Sequence, residues 1–110
     1  MELQEIIIGI IVNSGNAKSK AMEAIKHAKT LDFDAADDCL EAATVELGKA
    51  HKIQTTLIQE EAGGTNHEIS LLMVHAQDHL MTSLTTKDLA KEFVNLYKKM
   101  EENIMEVNGK

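Results

Sequence analysis

Apolar and small residues recur at helical spacing in three blocks of this 110-residue chain, separated by short polar or glycine-bearing turns. The first block runs from about residue 2 to residue 29. Its stripe is Leu3, Ile7, Ile10, Ser14, Ala17, Ala21, Ala24 and Ala28, in alternating steps of four and three. The stripe is bulky at its N-terminal end and small at the other. Gly9 and Gly15 each cost a helix about 1 kcal/mol relative to alanine, so Asn13–Asn16 is a candidate kink or a boundary between two shorter helices. The second block, 33–61, follows Asp32 and Asp34, either of which can cap a helix. Its stripe is Ala36, Leu40, Ala43, Leu47, Ala50, Gln54 and Leu57, and it ends before the turn signal Gly63-Gly64. The third block opens with Thr65-Asn66-His67-Glu68, which has the spacing of a capping box, and predicts a long helix over 66–105. Short connections favour antiparallel neighbours. The expected architecture is therefore a single all-α domain, 1–110, folded as an antiparallel three-helix bundle.

Composition narrows this further. Proline is absent and aromatics make up 3% of residues, which argues against a β-sandwich or barrel. The chain carries 18 Asp and Glu against 11 basic residues, all lysine, for a net charge of −7. An acidic chain without arginine is poorly suited to nucleic acid, whose binding is dominated by phosphate neutralisation. The single cysteine, Cys39, excludes an internal disulfide and a cysteine-rich zinc site. The apolar run Ile6–Val12 has no basic flank and falls far short of the roughly 20 residues that span a bilayer. It is expected to be neither a leader nor an anchor, and a reduced, cytoplasmic setting fits.

One stretch does not read as an ordinary surface helix. Residues 69–84, ISLLMVHAQDHLMTSL, hold no Lys and no Glu, and Asp78 is their only formal charge. On a helical wheel they are apolar nearly all round, as expected of a helix buried on more than one side. A bundle of three helices covers only one side of each, so self-association through this helix is expected. His75, Asp78 and His79 share one arc of about 100° on that wheel. A buried Asp or His is costly unless paired or functional. Three chemistries compete for this group. The histidines can be hydrogen-bonded core residues. They can chelate a metal, since HAQDH resembles the His-x-x-Glu-His zinc-protease signature with Asp for Glu, although a third ligand is then needed. Or one histidine can be a nucleophile that takes and releases a phosphoryl group, with hydroxyls of Thr82, Ser83 and Thr86 as candidate donors. Spacing does not choose between the second and third. A small helical adaptor without chemistry is the remaining alternative.

At these residues a resemblance enters. LLMVHAQDHLMTS resembles the signature of the enzyme IIA component of the lactose/cellobiose (N,N′-diacetylchitobiose) class of the bacterial sugar phosphotransferase system. The similarity extends to SGNAKSKAMEAIKHAK, DFDAADDCLEAA, AHKIQTTLIQEEA and LAKEFVNLYKK, nearly the whole chain. It implies a three-helix unit that trimerises into a nine-helix bundle. It implies that His75 is phosphorylated, on Nε2, by the phosphocarrier protein HPr. The phosphoryl group then passes to a cysteine of a IIB protein, which phosphorylates the sugar entering through the membrane component IIC. It places Asp78 near the threefold axis, with a structural Mg²⁺ as a possible companion, and His79 beside the acceptor as an assisting or orienting group. Gln77 points away from His75 on the wheel and is expected to make an interhelical hydrogen bond. His27, His51 and His67 read as solvated or capping residues.

Overall fold

The computed structural model describes residues 2–109. They form three helices, α1 Leu3–Lys29, α2 Phe33–Ala62 and α3 Leu71–Asn108. The bundle is elongated, with extents of 66 × 21 × 19 Å. Among the described residues no helix is long and apolar enough to cross a membrane.

The α1 stripe forms as the spacing predicts. Ile7, Ile10, Ser14, Ala17, Ala21, Ala24 and Ala28 are all buried, with Leu3 half-buried at the open end. The helix continues through Asn13–Asn16 without a break, so the glycine penalties are outweighed by packing. Small side chains let α1 lie close to both neighbours, and α2 and α3 each pack more extensively on α1 than on one another. The core divides into two clusters. Ile7, Ile10, Leu47, Leu57 and Leu80 fill one end. Ala24, Ala28, Ala36 and Val94, with Phe33 and Tyr97 against them, fill the other. The bulky-to-small gradient of α1 is thereby matched by aromatic groups from its neighbours. Ala21 is fully buried in this alanine spine. Ala21→Leu is expected to cost about 1–3 kcal/mol by overpacking, read as a lower urea midpoint at unchanged slope.

The α1–α2 turn is tight. Leu31 sits in the left-handed region at φ 65°. Its N–H donates to the Ala28 carbonyl at 3.0 Å, and that of Asp32 to the His27 carbonyl at 3.0 Å. The Asp32 side chain then caps α2 by accepting from the Ala35 N–H at 3.2 Å.

The start of α3 differs from the sequence expectation. The capping box at Thr65 does not form, and the helix begins five residues later than 66, at Leu71. The Thr65 N–H donates to the Glu60 carbonyl at 2.9 Å, closing the C-terminal turn of α2. Gly64, at φ +102°, makes that turn possible. His67 Nε2 lies 2.6 Å from the Glu60 carboxylate, which draws the next residues back along α2. Ser70 is the actual cap, its Oγ accepting from the Met73 N–H at 3.1 Å. The other end of α3 extends past 105 to Asn108, where the Gly109 N–H donates to the Met105 carbonyl at 2.8 Å.

Candidate functional site

His75, Asp78 and His79 lie within the first three turns of α3. Ala76, Leu80 and Ser83 dock that part of the helix into the core, since all three are fully buried. Their packing fixes the rotation of α3 and so the direction of each functional side chain. His75 and Asp78 are exposed, and His79 is partly buried. That difference in exposure has a geometric origin. The cause is rotation: the arc that carries them is turned from the α1 interface, with only its His79 edge reaching inward.

The two imidazoles come together. Their rings stack with centroids 5.7 Å apart and planes inclined by 11°. His79 also forms part of the wall of an open groove of about 1020 Å³, with Gly15, Asn16 and Ser19 of α1 and Val45 of α2. Lys18, Lys20 and Lys26 line the same groove. The sequence reading left those lysines unassigned. Their clustering within SGNAKSKAMEAIK is the signal that could have found them. Asp78 faces elsewhere. It lines a second, smaller groove with Ile58, Met73, Val74 and Met81, whose mainly apolar wall also carries Glu61 and Glu68.

Among the described residues no group of three or more His, Cys, Asp or Glu side chains is placed to hold a metal ion. The zinc-protease-like reading needs a third protein ligand, and these residues do not bring one to His75 and His79. Asp78 supplies one carboxylate per chain, so an ion held by it would draw its other ligands from further copies.

The hydroxyls divide into two kinds. Ser83 is fully buried and its Oγ has no hydrogen-bond partner, as is true of Ser14. Ser83 is thus a core residue and does not present a donor at the His75 surface, contrary to its sequence reading. Thr82 donates to the His79 carbonyl at 3.2 Å, and Thr86 to the Thr82 carbonyl at 2.8 Å. Gln77 makes the expected interhelical contact, its Oε1 accepting from Gln54 Nε2. Cys39 is half-buried beside α1; burial, with Glu23 adding to it, pushes its thiol above the ordinary value. A raised value lowers the share of reactive thiolate.

A second feature runs the length of α3. Leu71, Val74, Met81, Leu89, Phe93, Leu96 and Met100 are all exposed, Leu71 to 85%. On a 100°-per-residue wheel they share an arc of about 120°, and Asp78 lies inside it. An apolar stripe of that length on one helix, interrupted in the same arc by Glu92 and Lys99, marks an interaction surface.

The chain matches the family model of the phosphotransferase system lactose/cellobiose-specific IIA subunit over residues 5–98. It is 54% identical to the lichenan-specific phosphotransferase enzyme IIA component of Bacillus subtilis (strain 168), over 92% of each chain. The fold superposes on the crystal structure of the cellobiose-specific enzyme IIA from Bacillus anthracis with a TM-score of 0.88. That pair shares 48% identity over 93% of this chain and 94% of the other. It also superposes on the IIA(chitobiose) structure solved in complex with HPr from Escherichia coli, with a TM-score of 0.81 and 42% identity over 92% and 98% of the two chains. A three-helix unit carrying the HAQDH segment at the head of its last helix, matched across nearly its whole length, belongs to the lactose/cellobiose-specific IIA subunits of the sugar phosphotransferase system.

Proposed function

We propose that this chain is a cytoplasmic phosphocarrier that takes a phosphoryl group from phospho-HPr onto His75 and hands it to the cysteine of a IIB partner. The sugar served is a β-linked disaccharide of the cellobiose, lactose or N,N′-diacetylchitobiose type, a class supported by the relatives' specificities. The observation that carries the reading is the exposed His75 ring stacked on the half-buried His79. An exposed imidazole can meet two successive partners, and a fixed neighbour limits its orientation.

The chemistry exchanges one bond to phosphorus for another. A lone pair on a His75 ring nitrogen attacks phosphorus in line, and the bond to the donor atom breaks with its electron pair remaining on the donor. In the second half the IIB thiolate attacks, the nitrogen–phosphorus bond breaks, and the pair returns to the His75 ring. No electron leaves the system, so the exchange itself calls for no redox cofactor. His79 orients the acceptor ring. The chain has no arginine, and the Thr82 and Thr86 hydroxyls already donate to backbone carbonyls, so the phosphoryl charge is met by histidine, lysine and the partners.

The working unit is a homotrimer built on the exposed α3 stripe, giving a nine-helix bundle. Asp78 from three copies then approaches the axis. Three carboxylates in a dry interface need protons or a cation, and an oxygen-only set suits Mg²⁺. Asp78→Leu is expected to leave the trimer intact or firmer in metal-free buffer, measured by sedimentation. Dissociation of that variant would show that carboxylate–metal bridging holds the assembly. The function itself is tested by incubation with phosphoenolpyruvate, enzyme I and HPr. The expected result is one acid-labile phosphate per chain, and a chain left unlabelled overturns the assignment.

A further inference from the structure

We propose that Gly15 is a positioning residue for phosphoryl transfer: the absence of a Cβ there leaves room for the His79 ring, whose Nε2 would otherwise be crowded by it. This rests on the reading of His75 as the acceptor. Three glycines, Gly9, Gly15 and Gly48, sit in the interiors of α1 and α2, where glycine weakens a helix. None of them has a positive φ, so none is there to make a turn. Their surroundings differ. A Cβ at Gly48 would meet nothing within 4 Å, and one at Gly9 would meet only the Ile53 Cδ1 at 3.9 Å. A Cβ at Gly15 would lie 3.3 Å from His79 Nε2. That is inside ordinary contact distance for heavy atoms, about 3.5–4.0 Å.

His79 has limited room to yield. Its ring is stacked on His75 with planes inclined by 11°, and it is partly buried against the groove that Gly15 also lines. A methyl group on α1 would push the ring by a few tenths of an ångström, and the stacked His75 ring would move with it. Misplacement of a reacting group on that scale slows a transfer that depends on in-line geometry. A glycine that weakens α1 is thus explained by the ring it admits.

The test is single-turnover transfer from phospho-HPr to the wild-type chain, Gly15→Ala, Gly48→Ala, His79→Ala and the Gly15→Ala/His79→Ala double variant. Gly15→Ala should slow transfer roughly tenfold and shift the His79 ring resonances in NMR spectra. Gly48→Ala should transfer within about twofold of wild type. In the His79→Ala background the ring is gone, so Gly15→Ala should change the rate by no more than about twofold. A merely structural role for Gly15 would give the same loss in both backgrounds, and that result overturns the proposal. A wild-type rate in Gly15→Ala overturns it alone, whereas a wild-type chain that takes no phosphate on His75 overturns the parent reading as well. Should Gly15→Ala fail to fold, the double variant decides: recovery of the fold supports the proposal, and continued failure overturns it.

Discussion

His75→Ala is expected to take up no acid-labile phosphate from phospho-HPr, while keeping the helical content and unfolding midpoint of the wild-type chain. The side chain is exposed, so its truncation leaves no cavity and should change stability by no more than about 0.5 kcal/mol. The chemical loss is complete because the nucleophile is removed and the neighbouring histidines, His67 and His79, are already engaged. His67 is held against the Glu60 carboxylate in the α2–α3 connection. His79 has one ring nitrogen turned toward the α1 backbone at Gly15 and a face covered by His75. His79→Ala should therefore still accept phosphate, about 10- to 100-fold more slowly, since it removes orientation and leaves the nucleophile. Quench-flow labelling followed by alkaline peptide mapping separates the two variants. Full labelling of His75→Ala, with an inert His79→Ala, would exchange the roles of the two rings.

The second large effect concerns assembly. Leu89→Asp/Leu96→Asp should convert a trimer to monomers at micromolar concentration, with the helical spectrum largely retained. Both leucines are about half exposed in the single chain, at 55% and 54%, so the monomer tolerates the change. In a trimer each would be buried near the axis. Burying a leucine contributes about 1.5–3 kcal/mol, and the variant instead converges three carboxylates at each of two levels. The measurement is sedimentation velocity across a concentration series. A double variant that still sediments at three times the chain mass would place the interface on another face.

Much of the fold was legible because α1 states it so plainly. Seven of its eight stripe residues, Ile7 to Ala28, are the buried residues of that helix. A period of this kind reports burial directly, since side chains three and four apart share one face. The beginning of α3 was not legible. Thr65 and Glu68 have the right spacing for a cap, yet the Thr65 N–H is already committed to the Glu60 carbonyl. A local motif loses when the preceding helix claims its backbone donor first. The site was legible in part. Composition and the wheel brought out His75, Asp78 and His79, and the stacked pair of imidazoles follows from their i, i+4 spacing. Which groove His79 and Asp78 each line was hidden, because that depends on how α3 rotates against α1 and α2. So was the burial of Ser83. Gly15 read only as a helix penalty and a candidate kink. Its contact with His79 joins two helices 64 positions apart, and no local pattern encodes that distance.

The alanine spine of α1 has a consequence in conformational entropy. Ala17, Ala21, Ala24 and Ala28 are completely enclosed, and alanine has no rotamers to lose on burial. Those four core positions of α1 are thus buried at backbone cost alone. The rotamer-rich side chains, such as Met22, Met81, Met100 and the α1 lysines, remain on exposed surfaces. They keep their freedom until another molecule arrives. The chain orders its interior with residues that have little freedom to give up, and holds its adaptable groups at the surfaces where successive partners must be met.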